Sequence, residues 1–128
     1  MSRAEIETVN QEFVKAFSNQ DAKAFASLYA QDAKLLPPGA PLIEGRAGIE
    51  AFGQQMFANG VRGLELETLD VLEADGLVVD VGRYTMTIQS PGGDLMRDVG
   101  KYVAVFRRQA DGGLKVVVDT FNSDTPTP

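Results

Sequence analysis

The stretch RDVGKYVAVFRRQADGGLKVVVDTFNSD, residues 97–124, reads as two alternating strands about the turn signal Ala110-Asp111-Gly112-Gly113. A loop at 110–113 sets Ala104 opposite Asp119 and Tyr102 opposite Phe121, because turn length fixes hairpin register. Asp119 follows directly on Val116-Val117-Val118. An aspartate beside such an apolar run is either paired or chemically active. Upstream, Pro91-Gly92-Gly93 and Asp75-Gly76 are further turn signals that bound a strand over 77–90 and another over 94–109. From Gly63 the apolar period is two. Leu64 and Leu66 share one parity and Leu69 and Val71 the other, a slip that predicts a β-bulge near Thr68.

The first half of the chain has the helical period instead. Ser2 and Glu5 have capping-box spacing, and Ile6, Val9, Phe13 and Phe17 follow as one apolar stripe. Asn19-Gln20-Asp21 breaks this helix, and Asp21 can cap a second, shorter one whose buried edge is Phe25, Leu28 and Tyr29. Pro37, Pro38, Gly39 and Pro41 make an irregular crossing with short strands on either side. A third helix runs from Arg46 to Asn59, with Ile49, Phe52 and Met56 inward and Gly60 as its stop. No internal repeat and no linker is read, so residues 1–128 are expected to form a single domain. Helices followed by long antiparallel strands mean α+β.

Parity divides the sheet into two faces. One carries Asp80, Tyr84, Tyr102, Ala104, Val117, Asp119 and Phe121, a mixture of acids, aromatics and small residues suited to a pocket wall. The other carries Val79, Val81, Val99, Val103, Val105, Val116 and Val118, suited to contact with a second copy. A bulge within a strand would alter these assignments.

Composition removes whole classes of chemistry. The 128 residues include no cysteine and no histidine. Thiolate nucleophiles, imidazole bases and the common zinc ligand sets are thereby excluded, and acid–base work falls to Asp, Glu, Tyr, Lys or Arg. A net charge of −6 repels nucleic-acid backbones and anionic membranes, so neither is expected as a partner. No cofactor and no metal is expected; a magnesium site at Asp80 and Asp119 has only those two acids behind it. No apolar run has the ~20 residues of a membrane span, and no apolar signal core opens the chain, so the expected location is cytoplasmic.

Three blocks, FSNQDAKAFASLYAQDAKLLPPG (17–39), EGRAGIEAF (44–52) and DVGKYVAVFRRQADGGLKVVVDTFNSD (98–124), resemble the SnoaL-like, ketosteroid-isomerase-like branch of the nuclear-transport-factor-2-like superfamily. The resemblance implies a cone-shaped α+β barrel, with three N-terminal helices packed on a strongly curved, mixed and largely antiparallel sheet, and usually a homodimer. It does not bring the isomerase's catalytic groups. The aspartate base after the first strand corresponds to Leu36 or Pro37, the oxyanion-hole tyrosine to Phe13, and its partner acid to a position on or near Ala104. The pocket tryptophan of the last strand corresponds to Phe121.

The expected site therefore has Asp119, Tyr102 and Asp80 as its chemical groups. Phe13, Phe17, Tyr29, Leu36, Phe52, Met56, Tyr84, Ala104, Val117 and Phe121 are expected to form the pocket. Asp119 is either a desolvated carboxylate with a raised pKa or an ionised member of a structural network. Three functions fit: a binder of a small apolar or partly polar molecule, an isomerase, lyase or cyclase using Asp119 as base, and a module that self-associates through the outer sheet face.

Overall fold

The chain changes its apolar period near residue 60, and its architecture changes there too. The computed structural model describes residues 2–126. Three helices, α1 (Ser2–Ser18), α2 (Ala22–Ser27) and α3 (Arg46–Ala58), are interrupted by β1 (Tyr29–Leu36) and the short β2 (Ile43–Glu44). Four strands follow: β3 (Val61–Ala74), β4 (Leu77–Gln89), β5 (Leu95–Arg108) and β6 (Leu114–Ser123). They form one sheet in the order β2-β1-β6-β5-β4-β3, with β1 and β6 parallel and every other pair antiparallel. The expected barrel is an open cone, since β2 and β3 remain edges of the sheet.

Local chemistry accounts for the helix ends. Asp21 accepts a hydrogen bond from the Ala24 amide at 3.0 Å and caps α2, as its position predicts. Ser2 already lies inside α1. Glu5 is not the reach-back residue of a capping box; both its carboxylate oxygens bind Arg108 of β5, at 2.5 and 3.0 Å. Arg108 thereby ties α1 to the sheet. The buried face of α1 is Ile6, Asn10, Phe13, Ala16 and Phe17, with Val9 only partly buried. Residues 6, 10, 13 and 17 keep helical spacing, so a polar Asn10 occupies the inward position expected for Val9.

Two bulges set which way the strands face. In β3 the register shifts between Thr68 and Asp70, the slip predicted near Thr68. In β6 it shifts between the pairs Val105–Val118 and Phe106–Val116, leaving Val117 as the extra residue. This corrects the parity reading of Val116, which joins Phe106 on the inner face and is fully buried; Val117 is buried as well but does not line the cavity.

A short repeat lies at the centre of the sheet, where none is expected. Asp80-Val81-Gly82-Arg83-Tyr84 on β4 and Asp98-Val99-Gly100-Lys101-Tyr102 on β5 are the same pentapeptide but for one Arg/Lys exchange. In the antiparallel register Gly82 pairs with Tyr102, and Tyr84 with Gly100. Each tyrosine lies across the other strand's glycine and donates its hydroxyl to that strand's aspartate: Tyr102 to Asp80 at 2.9 Å, Tyr84 to Asp98 at 3.0 Å. A Cβ on Gly82 would sit 2.6 Å from the Glu67 carbonyl oxygen and closer still to the Tyr102 ring. One on Gly100 would sit 2.5 Å from the Tyr84 ring and closer still to the Asn122 carbonyl oxygen.

Gly82→Ala and Gly100→Ala are expected to destabilise the protein by at least about 1–3 kcal/mol each, the overpacking range. Gly92→Ala, which meets nothing nearer than the Ser90 hydroxyl at 4.0 Å, should shift stability by under about 0.5 kcal/mol. Urea denaturation of the three variants checks the contrast.

Candidate functional site

The helices cover the inner face of the sheet and leave a cavity of about 70 Å³. Its apolar wall comes from Phe13 and Phe17 of α1, Phe25 of α2, Phe52 and Met56 of α3, and Leu64 and Leu66 of β3. Phe13 stands edge-on to Phe25 and Tyr29, at ring separations of 6.0 and 5.7 Å. Such pairs contribute about 0.5–1.5 kcal/mol each beyond area burial. Arg46 at the start of α3 donates two hydrogen bonds to the Tyr29 carbonyl, at 3.1 and 2.7 Å, and fixes α3 against β1.

The polar wall belongs to the sheet. Asp80 pairs with Ala104 across β4 and β5, and Ala104 pairs with Asp119 across β5 and β6. The alanine methyl leaves open space between the two carboxyl groups. Asp80 is fully buried; its Oδ2 accepts from Tyr102, and its Oδ1 has no partner among the described residues. Burial pushes its pKa up, against the opposing influence of Tyr102, Thr68 and Asn10. Asp119 accepts from the Tyr29 hydroxyl at 2.6 Å. Burial of its carboxyl group raises its pKa to about 6; the Tyr29 bond opposes this and the charge of Asp80 adds to it. The hydroxyls of Tyr29, Tyr84 and Tyr102 are all pushed upward, first by burial and then by the acid each one faces. They stay protonated donors near neutrality.

Asp119, Tyr102 and Asp80 thus meet at one cavity, together with Phe13, Phe17, Tyr29, Phe52, Met56, Tyr84, Ala104 and Phe121. Two expected residues do not. Leu36 pairs with Thr120 and is 41% exposed on the outer face, whereas its neighbour Leu35 pairs with Asp119 and lines the cavity. Val117 is displaced by the β6 bulge. Sequence reading missed Asn10, whose amide donates to the Thr68 hydroxyl at 3.0 Å beside Asp80. The signal was an amide at helical spacing between Ile6 and Phe13. It also missed the Tyr84–Asp98 pair, which the repeated pentapeptide announces.

The SnoaL-like domain family profile matches residues 10–117. No curated protein gives a significant match. Among solved structures, the ketosteroid isomerase-like protein from Erwinia carotovora atroseptica is 19% identical, superposes with a TM-score of 0.84, and each chain covers 96% of the other. An NTF2-like protein with a cystatin-like fold from Novosphingobium aromaticivorans is 19% identical with a TM-score of 0.81, over 98% of this chain and 83% of that one. A conserved protein from Planctomyces limnophilus is 17% identical with a TM-score of 0.83, over 95% and 97%. At these identities the likeness shows the fold.

Because the Asp119 pKa is raised from 3.8 to about 6, the folded state holds this proton more tightly than the unfolded chain. The associated stability is complete below pH 3.8 and is lost as pH rises through about 6. Asp80 shifts the same way. Relative to Asp119→Asn, the wild-type protein should therefore lose on the order of 3 kcal/mol between pH 4 and pH 7. Urea unfolding across that range measures the difference, and parallel curves for the two proteins would contradict it.

Proposed function

The chain belongs to the SnoaL-like domain family, and we propose that residues 1–128 form one domain of that family that binds a small, mainly apolar molecule in the cavity beneath the helices. One observation carries this reading: rings and aliphatic side chains line the cavity, its polar groups are gathered on the sheet, and among the described residues no lysine or arginine lines it. A guest would place its skeleton against Phe13, Phe25, Phe52 and Met56 and its polar end toward Asp80 and Asp119. Anionic guests are disfavoured, because two acids and no basic side chain line the same space. At about 70 Å³ the cavity is well below the ~300–1,000 Å³ of sites for drug-sized ligands. Larger guests require movement of the partly buried Phe52, Met56, Leu64 and Leu66.

A second reading is favoured by the titration of Asp119 near neutrality, where a general base is most effective. Asp119 would then abstract a proton from a bound substrate. Tyr102 and Tyr84 already donate to Asp80 and Asp98, so neither hydroxyl is a free donor to a substrate oxygen until a guest displaces that bond.

A thermal-shift screen of small alcohols, ketones, amines and carboxylates tests the binding role. Uncharged or cationic members should stabilise the protein, by about 2.7 kcal/mol at one hundred times Kd. Carboxylates should not, and Ala104→Leu, which fills the space between the acids, should abolish the response. Hits that exchange a carbon-bound proton with D2O in the wild type but not in Asp119→Asn would establish the second reading. A screen with no hits overturns both.

The outer face supports self-association. Val79, Val105 and Val118 stand side by side across three strands, with Val81 and Val103 in the next row. Val103 and Val118 are 38% and 36% exposed within these rows, an apolar patch of the kind that marks interaction surfaces. We propose a homodimer through this face. Sedimentation equilibrium should give a dimer at micromolar concentration and a monomer for Val103→Lys.

A further inference from the structure

We infer that the polar end of the guest is a protonated amine, seated above Ala104 between the carboxyl groups of Asp80 and Asp119. The inference rests on the binding role proposed above and adds the chemical class of the ligand. Three observations converge on it.

The first is the unpartnered buried oxygen. Asp80 is fully buried, Tyr102 occupies its Oδ2, and Oδ1 meets no donor among the described residues. Leaving such a group unsatisfied costs about 1–3 kcal/mol, more when it is charged, so the site is built to receive a donor.

The second is the geometry around it. Asp80 and Asp119 each pair directly with Ala104, which puts their Cα atoms about 10 Å apart, two strand spacings. Their side chains share one face. The Oδ2 of Asp119 is held by Tyr29 as that of Asp80 is held by Tyr102, and both acids line the cavity on either side of Ala104. An ammonium group has three donors, enough to serve more than one carboxyl oxygen. An alcohol has one.

The third is charge. The other titratable groups on the cavity wall are Tyr29, Tyr84 and Tyr102, which donate hydrogen bonds without adding positive charge. The charge of Arg3 acts weakly on Asp80, but its guanidinium is half-exposed and donates to the Thr68 carbonyl at 2.8 Å. Arg46 donates to the Tyr29 carbonyl. Neither lines the cavity. A bound cation completes the electrostatics that these side chains leave open. A divalent metal ion fits poorly, because it calls for six or more oxygen ligands and the remaining wall is hydrocarbon. The hydrocarbon wall of Phe13, Phe25 and Tyr29 suits the apolar part of an organic cation instead. The volume sets the size: about 70 Å³ is under half of the ~150 Å³ apolar cavity that holds benzene. A short aliphatic amine is the fitting probe.

Calorimetric titration with isobutylamine, isobutanol, isobutyrate and magnesium chloride tests this. The amine should bind at least about tenfold more tightly than the alcohol, and isobutyrate and magnesium should not bind. Asp80→Asn and Asp119→Asn should each weaken the amine at least about tenfold and the alcohol by a clearly smaller factor, with circular dichroism melts showing that each variant folds. At pH 6, where Asp119 is near its midpoint, amine binding should release protons, seen as a binding heat that depends on buffer ionisation enthalpy. Equal affinity for alcohol and amine, or amine affinity untouched in both variants, would overturn the amine and leave the cavity's binding role standing. Preferential magnesium binding would overturn it in favour of a metal site. No binding by any probe would overturn both inferences.

Discussion

Two tyrosines lying across two glycines set the geometry of everything on the inner face. Tyr102 can reach Asp80 only because Gly82, directly opposite it, has no side chain; Tyr84 reaches Asp98 over Gly100 for the same reason. The arrangement is a local two-fold between antiparallel strands, each supplying the acid and the glycine for the other's ring. It locks the β4–β5 register, since a slip by one residue would drive a ring into a Cβ and turn the acids to the opposite face. With that register fixed, Ala104 falls between Asp80 and Asp119, and the cavity acquires its polar wall.

The electrostatics follow from an unusual choice of partner. All three tyrosines of the chain donate to aspartates, Tyr29 to Asp119, Tyr84 to Asp98 and Tyr102 to Asp80. A guanidinium or ammonium in these places would hold the acids ionised and well below the usual carboxylate range. A hydroxyl satisfies an oxygen without cancelling charge, so burial dominates and the pKa values of Asp80 and Asp119 rise. The cations of the chain meet acids at its surface instead, as in Arg108–Glu5 and Lys101–Asp124. Acids held by neutral donors keep the capacity to gain or lose a proton when a guest arrives.

Much of this was legible in the residues, and the failures have definite physical sources. Turn signals at 75–76, 91–93 and 110–113 were enough to pair Ala104 with Asp119 and with Asp80, because hairpin register depends on loop length. Alternation carries that register only while it is unbroken. The bulge at Val117 is silent in a run of three valines, where either phase looks equally apolar, so Val116 was assigned to the wrong face and Val117 to a cavity that it does not line. Leu36 was misplaced for a related reason: Leu35 and Leu36 are interchangeable to a pattern, and only the parallel pairing of β1 with β6 shows which one meets Asp119. Asn10 was hidden by the rule that inward positions are apolar. The pentapeptide repeat was in plain view, but its meaning depends on two strands lying antiparallel with the glycines and tyrosines opposed.

The parallel pairing of β1 with β6 has a consequence for how the protein folds. Tyr29 sits opposite Val116, and its hydroxyl bonds a residue 90 positions away. β1 has no long neighbour other than β6, so its inner residues wait for the end of the β3–β6 meander before they are covered. Closing so large a loop is entropically demanding, and chains rich in such distant pairings fold slowly. The meander can assemble through local hairpins, leaving the docking of β1 beneath the helices as the late event. The cavity therefore depends on the most distant pairing in the sheet: without β1 on β6, Tyr29 and Leu35 have no place in its wall.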